Sequence, residues 1–471
     1  MALRFFNTLS KQTETFIPLR EGHASIYHCG PTVYWVQHIG NMRAVVISDT
    51  VRRTLEFLGY EVDLVRNYTD VGHLTGDNIG DADTGEDRME KAAKRDNQSP
   101  DEIAEKYIAI YNHDIELLNT LPPTHTPRAT AFIGDMVSMV QVLLDKGYAY
   151  TTPSAIFFSV EKFPNYTALS GQKLALQEGG TGHGDIQDNN KKHPSDFVLW
   201  FFKTGSHANA LQTWESPFSS PLVENGRGFP GWHIECSAMS KQYLGETLDI
   251  HMGGIEHIPI HHTNEIAQSE CANSAPFVHY WLHNEHLLVD GKKMAKSEGT
   301  SYILADIIEK GYHPLALRFF FLQAHYRSKQ NFTWDALAGA QTALLRLYTI
   351  MRTLGEEAGV VHTESIQAFR EALEDDINTS KALALVWDVA GNTLLSDSDK
   401  KATLLAFDTV LGLGLASLSF EIPEEVQKLL DRRNEARLQN DWTASDTLRE
   451  EIESHGFVVK DTKDGTTVIP K

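Results

Sequence analysis

The sequence predicts an α/β chain: a parallel sheet of the Rossmann type that carries an inserted segment, then a helical bundle, then a small α/β tail. Three observations predict it. A strand, a Gly-containing turn, a helix and a second strand follow one another between residues 24 and 67. A stretch rich in Gly, Asn and Asp at 177–194 lies between two β-prone segments and interrupts that pattern. From residue 306 helical spacing takes over and persists almost to the end.

Each element follows from local sequence. Residues 24–29, Ala-Ser-Ile-Tyr-His-Cys, alternate and are β-prone, and Gly30-Pro31 ends them. Residues 42–58 have helical spacing that stops at Gly59, and 61–67 read as the next strand. Such a βαβ unit opens a parallel nucleotide-binding sheet. Residues 122–148 read as helical after a Pro-rich entry. Short strands at 155–159 and 197–202 flank the loop at 177–194, so 130–225 is read as an insertion within the sheet domain. The sheet is expected to resume at 247–251 and 286–289. A bundle at 306–418 follows, then a linker at Glu421-Ile422-Pro423, helices at 424–438 and 442–454, and strands at 457–460 and 466–469. The expected domains are 1–129, 130–225, 226–305, 306–420 and 421–471, in keeping with a chain of 471 residues.

Composition narrows the class. Hydrophobic residues at 41% and charged residues at 22% describe an ordinary globular chain. No apolar run approaches the roughly 20 residues that span a membrane, and the N-terminus has no apolar signal core, so a cytoplasmic location is expected. The net charge of -21 opposes a broad nucleic-acid footprint but leaves room for local basic patches. Cys29, Cys236 and Cys271 are three in number and far apart, which favours metal ligation or packing over disulfides.

Three constellations carry chemistry. Pro31-Thr32-Val33-Tyr34-Trp35-Val36-Gln37-His38-Ile39-Gly40-Asn41 runs from a strand into a helix, whose N-terminus suits phosphate. There Gly40 admits a ligand to the backbone, and His38 can donate to phosphate oxygens. Lys293-Met294-Ala295-Lys296-Ser297, followed by Glu298-Gly299-Thr300, is a basic loop that can neutralise charge on a polyphosphate. Taken singly, the first is better read as an ordinary strand–helix turn and the second as a solvated basic turn. Cys29, Cys236, His261 and Glu265 offer donor types that zinc accepts, and His261 and Glu265 at i, i+4 share a helix face. His262, at i, i+3 from Glu265, competes for the same role. Each cysteine also reads as a small buried hydrophobe, and Cys271 keeps that reading.

The two loops, in this order, resemble the HIGH and KMSKS signatures of class I aminoacyl-tRNA synthetases. Cys-Gly-Pro-Thr-Val-Tyr before His-Ile-Gly, Gly-Trp-His-Ile-Glu-Cys-Ser-Ala-Met, and His-His-Thr-Asn-Glu-Ile-Ala-Gln resemble the cysteinyl-tRNA synthetase forms of these motifs. Pro127-Arg128-Ala129-Thr130, Asp196-Phe197-Val198-Leu199-Trp200, His325-Tyr326-Arg327-Ser328 and Gly465-Thr466-Thr467 extend the resemblance over nearly the whole chain. It implies a catalytic sheet domain with an inserted connective domain, a stem-contact region and bundle, and an anticodon-binding tail. It implies ATP-dependent activation of L-cysteine and transfer to tRNA(Cys), on one Zn2+ per chain, with Mg2+ accompanying ATP. Carried over by motif position, the zinc ligands are Cys29, Cys236, His261 and Glu265. His38, Asn41, Lys293 and Lys296 serve catalysis, with His38, Gly40 and Lys296 on ATP. Thr32, Trp232 and His233 line the cysteine pocket, and Arg437, Trp442 and Asp446 contact tRNA. The partners are tRNA(Cys), L-cysteine and ATP, with no membrane, and the chain is expected to be a monomer. Departures include Asn41 where the family usually has His, Ala295 in place of Ser, and a longer segment at 203–225. A cysteine ligase acting on a small amino-sugar acceptor would share the ATP and zinc sites but need no tail.

Overall fold

The computed structural model describes residues 2–71, 88–172, 190–294, 299–417, 423–462 and 465–470. Lys296, Gly72-His73, the linker residues Glu421 and Ile422, and most of the loop expected at 177–194 lie outside them. The chain divides into two compact units: 1–303 with 324–331 and 370–379, and 304–323 with 332–369 and 380–471.

In the first unit, a hairpin of β1 (Arg4–Asn7) and β2 (Gln12–Thr15) leads into β3 (His23–His28), α1 (Ile39–Phe57) and β4 (Glu61–Arg66). This is the strand–helix–strand unit expected from the sequence. Helices α2 (Arg88–Asp96), α3 (Pro100–Leu117) and α4 (Ile133–Asp145) follow. α3 opens on a capping box, with Ser99 and Glu102 each satisfying the other's backbone N–H. An antiparallel sheet then runs in spatial order β5 (Ala149–Thr151), β6 (Ala155–Phe158), β7 (Phe197–Phe202) and β8 (Gly228–Pro230). Its last strand lies beyond residue 225, and there Gly228 passes close to the Phe201 backbone.

Helix α5 (Trp232–Leu244), β9 (Leu248–Gly254), α6 (His261–Asn273) and β10 (Val278–Asn284) complete the parallel sheet, in order β10-β9-β3-β4. β9 is buried along its whole length, as parallel strands covered on both faces are. The strand expected at 286–289 is a correction. Leu287–Val289 is β11, which pairs antiparallel with β12 (Lys292–Lys293) in a separate small sheet that also takes in β13 (Gln330–Phe332). The fourth parallel strand is β10, whose His279 and His283 break the apolar run that would mark a buried strand. His283 is tolerated there because it bonds His262 and Thr8.

Arg43, in the second turn of α1, is almost wholly buried. Its guanidinium donates to the carbonyls of Glu285, His325, Tyr326 and Ser328 and to Gln330 Oε1. The His325-Tyr326-Arg327-Ser328 motif therefore seats the start of α1.

The second unit holds α7 (Leu304–Glu309), α8 (Pro314–Leu322), α9 (Trp334–Thr353) and α12 (Asp397–Leu411), with most of α10 (Thr363–Glu374) and α11 (Thr379–Gly391). Its last part is α13 (Glu424–Leu438), α14 (Trp442–Ser454) and the hairpin β14 (Phe457–Thr462) with β15 (Gly465–Pro470). Val426, Leu429, Leu430, Leu448, Ile452, Val459 and Val468 give that part a small core of its own. Among the described residues no helix is long and apolar enough to cross a membrane.

Candidate active site and metal centre

The site lies at the carboxyl ends of β3, β4 and β9, where ligands bind in open parallel sheets. β3 ends at His28, and the chain turns through Cys29 and Gly30. The Gly30 N–H donates to Asn67 Oδ1 at 2.9 Å, and a Cβ on Gly30 would overlap the Asn67 carbonyl. The Val33 N–H donates to Thr69 O, and the Thr69 N–H to Pro31 O, so Thr32 is held in a two-way bridge. Asp70 accepts from Arg128 and from both the N–H and hydroxyl of Thr130. Residues 67–70 thus prop the first loop, and the Pro127–Thr130 motif props them. The sequence singles out Pro127–Thr130 without assigning these contacts.

His38 is the N-cap of α1, and its Nδ1 accepts from the Asn41 N–H at 3.2 Å. Accepting at Nδ1 places the neutral ring's proton on Nε2. Asn41 therefore helps fix the His38 tautomer through its backbone, whatever its own side chain does. Gly40 is crowded by Met294: a Cβ there would overlap the Met294 methyl. The Ile39 N–H donates to Tyr302 O at 2.8 Å, and His38 bridges Ile303. The two signature loops are therefore adjacent. Lys293 is exposed on β12.

The cysteine and histidine residues converge. Cys29 and Cys236 sulfurs are 3.7 Å apart, and Cys236 lies 3.6 Å from His261 Nε2. Glu265 Oε1 lies 3.6 Å from Cys29 and 3.0 Å from His261 Nε2. Tetrahedral zinc, with bonds of about 2.0–2.3 Å, sets its ligand atoms roughly 3.4–3.8 Å apart. The three separations that involve a sulfur fit that span, the His261–Glu265 hydrogen bond being shorter, and Glu265 Oε2 is a buried oxygen that accepts no hydrogen bond. Burial, then the neighbouring Cys236, pushes the Glu265 carboxyl well above its usual range; burial and the Cys236 contact likewise push the Cys29 thiol up. Groups this costly to charge in isolation are the ones a bound cation would hold ionised.

A second set shares Cys29 and Glu265 but substitutes His251 and His262. His262 Nε2 is 3.5 Å from Cys29 and 3.9 Å from Glu265, and His251 Nε2 is 3.4 Å from Cys29. The outward nitrogen of His262, Nδ1, bonds His283 at 2.7 Å, whereas the Nδ1 of His261 bonds His233 at 2.9 Å. Sequence spacing raises His262 but misses His251, which comes from β9 and carries no local signal. Cys271 is buried elsewhere, and burial pushes its thiol up to about 12, as befits packing.

Of the residues expected in the cysteine pocket, Trp232 stacks on His261 at 4.3 Å, and His233 bonds that same ring. Thr32 sits across the first loop. Trp232 and His233 are brought to the cluster by α5, while Thr32 is held by its bridge to Thr69.

In the tail, Arg437 lies over Trp442, 5.7 Å from the ring centroid, and Trp442 is 56% exposed. Arg437 pairs with Asp461 rather than Asp446. Asp461 also holds Arg433 and Arg449 and accepts from Thr466. The Arg433 bond, more than any other contact, keeps its carboxyl at about 2. Asp446 is exposed on α14. The role of Asp461 has no local signal, since its partners lie on other elements.

Comparison with known proteins adds a frame. Residues 15–342 match a model of the class I (C) tRNA synthetase catalytic domain, 368–416 a DALR domain, and 420–468 the anticodon-binding domain of cysteinyl-tRNA ligases. The chain is 39% identical to the cysteine–tRNA ligase of Treponema denticola, over 99% of each. It is 40% identical to cysteine–tRNA ligase 1 of Burkholderia lata, over 99% of this chain and 96% of that one. Among solved structures, Mycobacterium tuberculosis methionyl-tRNA synthetase bound by methionyl-adenylate superposes with a TM-score of 0.55 at 12% identity, over 90% of this chain and 96% of that chain, a likeness of fold.

Proposed function

The chain belongs to the cysteinyl-tRNA synthetase family, and on that premise we propose how its residues carry out the ATP-dependent joining of cysteine to tRNA(Cys). Cysteine's carboxylate attacks the α-phosphate of Mg·ATP, forming a carboxyl–phosphate anhydride and releasing pyrophosphate. The His38 Nε2–H donates to phosphate oxygens, with the N-terminus of α1 adding backbone N–H groups. Gly40 leaves room for ATP at the backbone. Lys296 and Lys293 of the second signature neutralise charge on the polyphosphate. Asn41 serves by fixing His38. The second step passes cysteine to a terminal ribose hydroxyl of the tRNA, releasing AMP.

Convergence of the Cys29, Cys236, His261 and Glu265 donors within one buried cluster is the observation that carries the selectivity. A zinc held by this set would draw both cysteines into thiolate form, their sulfurs lying 3.7 Å apart. Zinc there would take the substrate sulfur as a thiolate, which a serine hydroxyl cannot match at neutral pH. Size alone would reject serine only about 10²-fold. Trp232, Thr32 and His233 shape the pocket around that sulfur. Arg437, Trp442 and Asp446 are the tail residues for single-stranded tRNA: a cation, a stacking ring and a base-pairing carboxylate. The division at 1–129, 130–225, 226–305, 306–420 and 421–471 follows this assignment of roles, in a cytoplasmic monomer.

The test is aminoacylation of tRNA(Cys) with cysteine and serine side by side, on protein analysed for metal. Charging with cysteine, rejection of serine well beyond 10²-fold and about one zinc per chain are expected. No charging, or no zinc in folded protein purified without chelator, would overturn the respective part.

A further inference from the structure

Between Thr32 and His38 the chain has no helix or strand of its own beyond the Thr32–Thr69 bridge. Yet His38 must be placed closely enough to meet a phosphate. Gln37 gives some internal support, donating to Thr32 O and Trp35 O. More comes from α2. Arg88 and Arg95, two turns apart, share one face of that helix. The Arg88 guanidinium lies 5.3 Å from the Tyr34 ring centre and donates to its hydroxyl at 2.9 Å. The Arg95 guanidinium lies 4.3 Å from the Trp35 ring, and Tyr107 of α3 stacks on the same indole at 6.1 Å. Arg95 also donates to the Tyr107 hydroxyl, and Asp96 joins it to Lys106.

α2 is polar and buries only Met89, Ala92 and Ala93 among its residues, so apolar contact gives it a small seat. Its grip on Tyr34 and Trp35 is cation–π and hydrogen-bonded. The 203–225 segment reaches the same place: the Leu211 N–H donates to Glu90 at 2.7 Å, and Gln212 to Asp70 O at 2.9 Å. That segment braces α2 from one side while the arginines hold the loop from the other.

We infer that Arg88 and Arg95 are positioning residues for the ATP step, acting through Tyr34 and Trp35 on the placement of His38. The inference rests on the proposed function for its kinetic readout but has a binding readout independent of it. Clamping a loop that leads straight into a phosphate-contacting residue fixes the reacting geometry without touching substrate, and a misplacement near 1 Å is costly to rate.

The test uses full-length, zinc-loaded enzyme. Calorimetry measures ATP affinity without cysteine, and ATP–pyrophosphate exchange gives kcat and both Michaelis constants. For the Arg88→Ala, Arg95→Ala double variant, ATP affinity and exchange kcat should each fall about tenfold, with the KM for cysteine within about twofold. Trp35→Leu, which keeps a filled site but loses the π face, should reproduce part of this. Trp35→Phe, which restores a ring, should recover most of it. Unchanged ATP affinity and kcat in folded double variant would overturn the inference. So would equal weakening of ATP and cysteine constants, which would mark general loosening. If the double variant does not fold, the Trp35→Leu and Trp35→Phe pair decides by the same criteria. Wild-type protein that binds ATP but shows no cysteine-dependent exchange would sink the proposed function, while the ATP-affinity comparison would still decide the clamp.

Discussion

Gly30→Ala tests the scaffold on which the site is hung. The added Cβ would lie 2.7 Å from the Asn67 carbonyl carbon and would overlap its oxygen. Carbon atoms in comfortable contact stand about 3.5 Å apart, so the two loops must separate by about 0.8 Å even before the oxygen is considered. Neither neighbour is the pliable end of a side chain, since both atoms are backbone. Movement falls either on Cys29, one residue away, or on Asn67, which accepts the Gly30 N–H and whose side chain donates to Thr69. A shift near 1 Å at a reacting centre costs about 10²-fold in rate, and overpacking costs about 1–3 kcal/mol of stability. The expected result is a folded enzyme with kcat/KM for cysteine in pyrophosphate exchange reduced about 10²-fold and a lowered melting temperature. Activity within twofold of wild type at unchanged stability would refute the account of residues 67–70 as the prop of the first loop.

Cys236→Ser should lower cysteine affinity far more than ATP affinity, read by calorimetry, with zinc content falling in parallel; equal losses for both ligands would count against the metal assignment. Lys296→Ala should slow single-turnover adenylate formation by about 10²-fold with no change in melting. Removing residues 421–471 should leave pyrophosphate exchange nearly intact while raising the KM for tRNA steeply, and undiminished charging by the shortened chain would remove the tail from recognition. In the folded tail the Asp461 carboxyl is held at about 2, below its unfolded value. Its stabilising contribution is therefore complete above about pH 4 and lost as pH falls towards 2. Acid unfolding of the tail should lose that component in Asp461→Asn, as followed by circular dichroism.

Local sequence codes for some parts of this molecule and not for others. Helices 424–438 and 442–454 are bounded as expected, because Pro423 and Asp441 are local stop and cap signals. The first βαβ unit is equally local, although α1 begins at Ile39 rather than Met42, since His38 caps it. β10 escapes because two histidines interrupt its apolar run: His279 faces solvent, and buried His283 is accommodated by Thr8, in the turn after β1, and His262 of α6, which no window of sequence contains. Cys29, Cys236, His261 and Glu265 were named through resemblance, and the fold brings them together from three separate segments. His251 and Asp461 had no such motif to announce them. Their roles arise only when distant elements meet.

Arg43 gives α1 a foundation that does not titrate in the working range. Burial draws its guanidinium down to about 10, so it stays charged at neutral pH. The five oxygens that receive it belong to amides, not to acids or imidazoles. Neither side of that cage changes charge between about pH 5 and 9. Proton-dependent changes in the ATP step across that interval therefore do not originate in this mounting.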